Sequence, residues 1–161
     1  MPSFDVASKV QWHEVENALQ QAQKEIAQRF DFKDTETEVE RTKEGLWIRS
    51  STEDRAKAAL TVLQEKIVRR KLSLRFFDTQ DPEPTGKGGS RILVKVKEGI
   101  DSEVAKKIIL ALKESKIKVQ GSIQEIQVRV AGKNKDDLQK AIALLRATDF
   151  GIELQYINFR D

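Results

Sequence analysis

KVQGSIQEIQVRVAGKNKDDLQ, residues Lys118 to Gln139, alternates apolar and polar side chains through two short runs, meets a glycine, and then turns helical in pattern. Ile117, Val119 and Ile123 share one parity, and so do Val128 and Val130, as two half-buried strands require. A strand sends successive side chains to opposite faces, so Lys118, Gln120, Ser122, Gln127 and Arg129 leave the core together. The second run ends at Gly132-Lys133-Asn134-Lys135, just before a helix beginning near Asp136. An anionic ligand would find its basic and amide partners beside this unit.

Working back to the start, Phe4 and Val6 alternate with Ser3, Asp5 and Ala7, a short strand over residues 3–9. A helical stripe of Val15, Ala18, Leu19, Ala22 and Ile26 follows. Thr35–Arg41 and Leu46–Ser50 read as a hairpin around Lys43-Glu44-Gly45, and Glu53–Arg69 as a helix burying Ala56, Ala59, Leu60, Leu63 and Ile67. Leu72, Leu74 and Phe76 make a further strand. The proline- and glycine-rich segment DTQDPEPTGKGGS, residues 78–90, reads as a linker.

The order then repeats. Ile92, Val94 and Val96 form a strand, Asp101 caps a helix over Ser102–Ser115, and the opening hairpin follows. A last helix buries Leu138, Ala141, Ile142 and Leu145, and a last strand runs from Ile152 to Phe159. Two copies of β-α-β-β-α-β predict an α+β chain of two tandem ferredoxin-like domains, each an antiparallel sheet with two helices on one face. Leu154 with Tyr156, and Ile157 with Phe159, put apolar groups on both parities of the last strand, which predicts burial on both faces.

Composition bounds the function. No run approaches the length of a membrane helix, the N-terminus has no signal-peptide pattern, and the absence of cysteine fits a cytoplasmic protein. It also removes disulfides, thiolate nucleophiles and cysteine-ligated metals. The net charge of +3 is unevenly spread: residues 91–161 hold 14 basic and 10 acidic side chains, residues 1–90 hold 15 and 16. That mild bias falls well short of a nucleic-acid-binding tail.

Each candidate motif also admits a plainer role. Thr85–Ser90 lacks the strand-to-helix spacing of a phosphate loop, because Lys87 is followed by Gly88 and a strand comes next. Lys133 and Lys135 flank a helix N-terminus that favours anions, yet Asp136 and Asp137 already complement its dipole. Arg129, among glutamines, suits a phosphate or a guanine edge, or a hydrogen-bond network between domains. Trp47 suits base stacking, at roughly 1–3 kcal/mol, or packing between domains. His13 is the only histidine, no carboxylate pair has the spacing of a general acid and base, and no metal or cofactor site emerges. The expectation is a binding protein without catalytic activity.

Several segments together resemble the YajQ family of bacterial nucleotide-binding proteins: MPSFD at 1–5, RFDFK at 29–33, KVQ at 118–120, RV at 129–130, GK at 132–133, DDLQ at 136–139 and NFRD at 158–161. The resemblance implies that the two domains exchange their first strands. Residues 10–97 would form the first domain, with the linker and an exchanged strand at 91–97; residues 98–161 would form the second, completed by strand 3–9. It further implies a receptor for a nucleotide, cyclic di-GMP or another guanine nucleotide, bound by Lys118, Gln120, Arg129, Lys133, Lys135 and Arg160. The alternatives are an RNA- or tRNA-binding protein using a basic sheet face, and an adaptor for a regulatory protein partner. Two departures from the family pattern stand out. Gln124-Glu125-Ile126 replaces the usual Gln-Gly-Asp of the hairpin turn, and Lys135 replaces an arginine.

Overall fold

The computed structural model describes all residues from Met1 to Asp161. Its elements are β1 (Ser3–Ala7), α1 (Trp12–Gln28), β2 (Glu38–Thr42), β3 (Gly45–Ser50), α2 (Glu53–Arg69), β4 (Phe77–Thr79), β5 (Glu83–Gly86), β6 (Gly89–Val96), α3 (Ser102–Ser115), β7 (Val119–Gln124), β8 (Gln127–Gly132), α4 (Lys135–Ala147) and β9 (Gln155–Arg160). One sheet has the order β7-β8-β1-β9; the other runs β2-β3-β6-β4, with β5 also paired to β6. The first strand of the chain therefore lies inside the C-terminal sheet, and β6 lies inside the N-terminal one. All the pairings are antiparallel. The architecture is the α+β tandem of ferredoxin-like units with exchanged first strands. Two compact units result, Gln11–Lys97 and Met1–Val10 with Glu98–Asp161.

Hydrophobic patterning explains why β1 goes where it does. Phe4 pairs with Val130 and Val6 with Val128, so all four side chains point to the same face. There they meet Ile108 and Leu112 of α3 and Leu138, Ile142 and Leu145 of α4, every one of them buried. Burying Phe4 and Val6 contributes about 1.5–3 kcal/mol each. In α1 and α4 the buried residues are those the helical period marks. In α2 the stripe is displaced slightly: Val62 and the stem of Lys66 are buried, while Leu60 is only half-buried.

Three local expectations are corrected. Residues 78–90 are not a linker but hold the end of β4, all of β5 and the start of β6, with Gly86 paired to Gly89 across the two-residue turn Lys87-Gly88. Both turn residues have positive φ, 50° and 80°, as the tight hairpin turns that match strand twist require. The glycines serve that turn rather than flexibility. The strand expected at 72–76 lies later: Leu74–Phe76 is a single 3-10 turn, and pairing begins at Phe77.

The last strand carries a bulge. Ser3 pairs with Arg160 while Asp5 pairs with Ile157, so β9 has one extra residue there, and Asn158 takes φ 55°. The extra residue reverses the parity of the strand's end. Phe159 consequently joins Tyr156 on the helix-covered face, with ring centroids 5.8 Å and 6.1 Å from Phe4. Two opposed apolar parities become one aromatic cluster, and no residue of β9 is fully buried.

The hairpin turn between β7 and β8 is a tight two-residue one. Gln124 pairs with Gln127, leaving Glu125 and Ile126 as the turn, and Glu125 itself adopts φ 55°. Ile126 is held in place: its carbonyl accepts from the Ile100 amide at 2.9 Å and its side chain packs on Gly99. A glutamate in the left-handed region costs about 1–2 kcal/mol, partly offset by glycine's greater freedom in the unfolded chain. Glu125→Gly is therefore expected to raise stability by about 0.5–1 kcal/mol in urea unfolding. Unchanged or lower stability would mean that the turn carries no strain.

Candidate ligand-binding face

The side of the C-terminal sheet away from α3 and α4 is polar. Antiparallel partners share a face, so the register places its residues in rows. One row is Ser122, Arg129, Asp5 and Ile157; the next is Gln120, Ala131, Ser3 and Arg160. Gln124 and Gln127 pair at the turn end. At the other end, the residues just beyond the pair Val119 and Gly132 are Lys118 and Lys133, both exposed.

At the centre is Asp5, only 2% exposed. Arg160 grips it with two guanidinium nitrogens, Nη2 to Oδ2 at 2.8 Å and Nη1 to Oδ1 at 3.2 Å. Asn158 Nδ2 donates to Oδ2 at 2.9 Å, and Arg129 Nε to Oδ1 at 3.1 Å. Arg160 Nη1 also reaches the Ser3 hydroxyl at 3.2 Å. The hydrogen bond from Arg160, helped by those from Asn158 and Arg129, holds the Asp5 carboxyl well below the usual carboxylate range, against the opposing effect of burial. The bulge at Asn158 makes this possible, because it brings Asn158 and Arg160 to the same carboxylate.

Of the six residues expected to bind ligand, the structure unites Arg129 and Arg160 on Asp5. Arg160 is committed, its two terminal nitrogens being spent on Asp5 and Ser3. Arg129 is not. It meets Asp5 through Nε alone, its side chain is 41% exposed, and its two terminal amino groups remain available. Gln120 is exposed in the neighbouring row, and Lys118 and Lys133 stand at the sheet end. Lys135 starts α4 and pairs with Asp161 at 2.6 Å. Asn134 makes no capping bond to the helix, whose first turn holds Asp136 and Asp137.

Asp5 is the residue that pattern reading passed over. Its signal lay in SFDVA: a lone carboxylate in a strand that the exchange makes central, with arginines in both strands that flank it. Trp47 turns out differently from a base-stacking platform. It is 6% exposed, with Arg91 at 4.8 Å and Arg49 at 5.6 Å from its ring. The protein's own arginines occupy the place a base would take. His13 is well exposed beside Glu14, and no group of three histidine or carboxylate side chains is arranged to hold a metal.

Removing the Asp5 charge should be costly. Asp5→Asn is expected to lose about 2–3 kcal/mol in denaturant unfolding, less than a wholly buried pair because both arginines are partly solvated. The sign with pH follows from the depressed folded-state pKa. The contribution is complete above the unfolded carboxyl value near 4, and is lost as pH falls below it toward the folded value. The stability gap between the parent and Asp5→Asn should hold from pH 7 to about 4 and close below that. A gap independent of pH would contradict the charge assignment.

Comparison with known proteins places the whole chain in one family. The family model described as nucleotide-binding protein YajQ-like matches residues 2–160. A protein of Anaeromyxobacter sp. (strain K), named nucleotide-binding protein, is 56% identical over the full length of both chains. Similarly named proteins of Trichlorobacter lovleyi and Mycolicibacterium gilvum are 45% and 46% identical, covering 100% and 98% of each chain. With the match running from residue 2 to residue 160 and full-length relatives at this identity, the chain belongs to the YajQ-like family of nucleotide-binding proteins.

Proposed function

We propose that this protein binds a guanine nucleotide, cyclic di-GMP in particular, on the polar face of its C-terminal sheet, and acts as a regulatory receptor without catalysing a reaction. The observation that carries the reading is Arg129. An arginine anchored at Nε by a buried carboxylate presents its remaining N–H groups in a fixed plane, which suits two parallel bonds to a guanine edge or to a phosphate. Gln120 adds an amide beside it. Lys118 and Lys133 supply point charges for phosphate, and Lys135 joins them when it leaves Asp161. Arg160 acts through Asp5, keeping Arg129 in place.

Two facts favour a compact nucleotide over an extended RNA. The polar face offers no exposed aromatic ring among its rows, and Trp47 is covered. Sequence-tolerant binding of single strands relies on such rings. The absence of catalysis in this reading rests on Asp5, the one carboxylate in those rows, being tied up by three donors. No helix is long and apolar enough to cross a membrane, which suits a cytoplasmic receptor.

Calorimetry with cyclic di-GMP tests the proposal. Arg129→Ala should weaken binding about 10-fold or more, the effect of losing charged hydrogen bonds worth roughly 1.5–3 kcal/mol. Lys133→Ala should weaken it less and reduce its salt dependence. Affinity unaltered by either change would refute the site. Tight binding of single-stranded RNA, steeply salt-dependent and indifferent to base, would favour the RNA reading instead.

A further inference from the structure

A second surface lies within the unit Gln11–Lys97. A groove of about 830 Å³ runs between the C-terminal end of α1 and β2. Its lining includes the apolar groups of Ile26, Ala27, Phe30, Phe32 and Val39. Phe30 is 84% exposed, against 59% for Phe159. Three carboxylates, Asp34, Glu36 and Glu38, lie along the groove, exposed and outside any ion pair, against the single unpaired cation Lys33.

One wall of the groove is an open strand edge. β2 ends its sheet and pairs only with β3. Thr42 and Gly45 close their hairpin across two residues and form a hydrogen-bonded pair, so alternation turns the backbone groups of Val39 and Arg41 away from β3. The Val39 carbonyl bears this out: it accepts from Gln23 Nε2 of α1 at 2.7 Å, where a neighbouring strand would place an amide. β2 holds neither proline nor lysine and is not bulged, so the contact an added strand would have to displace is the Gln23 amide on the Val39 carbonyl.

We propose that the groove beside β2 is a docking site for an extended peptide segment of a partner protein, which adds to the sheet as a strand and alternates basic with apolar side chains. The alternation follows from the register. Residues of the added strand level with Val39 face the apolar floor near Ile26 and Phe30. Those level with Glu38 and Glu40 face carboxylates, of which Glu40 is already engaged by Arg49 and Glu38 is not. Backbone bonds would supply affinity, and the two faces would supply selectivity. Lys33 does not offset the three acidic side chains, so an acidic segment is disfavoured.

Fluorescence anisotropy of the full chain with a labelled hexapeptide of alternating lysine and valine tests this. Saturable binding is expected, weakened at least 10-fold when alternate peptide amides on the edge facing β2 are N-methylated, and by the same factor for a glutamate–valine peptide. Phe30→Ala and Glu38→Lys alter exposed side chains, so the fold should persist by circular dichroism while binding falls severalfold. Equal binding of the N-methylated peptide would overturn strand addition. No saturation below about 1 mM would overturn the site, at the weak limit of specific association. Sedimentation showing a dimer abolished by Glu38→Lys would make the occupant a second copy of this chain, and would overturn the peptide assignment.

Discussion

A carboxylate cannot be taken out of water unless its charge is met, and Asp5 is buried in the middle of a sheet. Desolvation costs several kcal/mol per ion, so β1 is stable only where donors converge on that position. Arg129, Asn158 and Arg160 converge there from the two flanking strands. The requirement also sets register. A shift of one residue would turn Asp5 toward the helices and expel Phe4 and Val6 from the core. The strand exchange thus rests on two agreeing constraints, an apolar face that any ferredoxin-like sheet would accept and a charge that donors of β8 and β9 satisfy.

On the proposed binding mode, the same cluster links fold to recognition. Sharing one carboxylate between two arginines differentiates them. Arg160 is gripped through both terminal nitrogens and becomes structural, while Arg129 is steadied through Nε and keeps its outer edge. A long side chain ordinarily loses rotamer freedom on binding a ligand; here part of that ordering is done by folding. Ligand selectivity on this face would arise from the placement of one planar donor group more than from net charge, which is only +3.

Much of the architecture was legible because it depends on periodicity. The repeated β-α-β-β-α-β order, the helix stripes at Val15–Ile26 and Leu138–Leu145, and the outward row of Gln120, Ser122 and Arg129 all follow from alternation and helical spacing. What escaped depends on single residues or long range. The hairpin at Lys87-Gly88 looked like a linker because glycine signals both flexibility and positive φ, and only the partner strand decides between them. The bulge at Asn158 inverted the parity of Phe159 by one extra residue, which no period reveals. Asp5 was invisible as a hub because its partners lie 124 to 155 residues away. Strand alternation singles out Arg129, the family resemblance adds Arg160, and neither points to the carboxylate that organises them.

The central claim is that Asp5 makes Arg129 competent to bind. A double-mutant cycle on cyclic di-GMP affinity, using Asp5→Asn, Arg129→Ala and the pair under conditions where every variant is folded, tests it most directly. The account predicts strong coupling: Asp5→Asn should weaken binding in the parent and change little once Arg129 is gone. Additive losses would show that Asp5 acts on binding independently of Arg129, and no loss on Asp5→Asn would show that it serves the fold alone; either would contradict the claim.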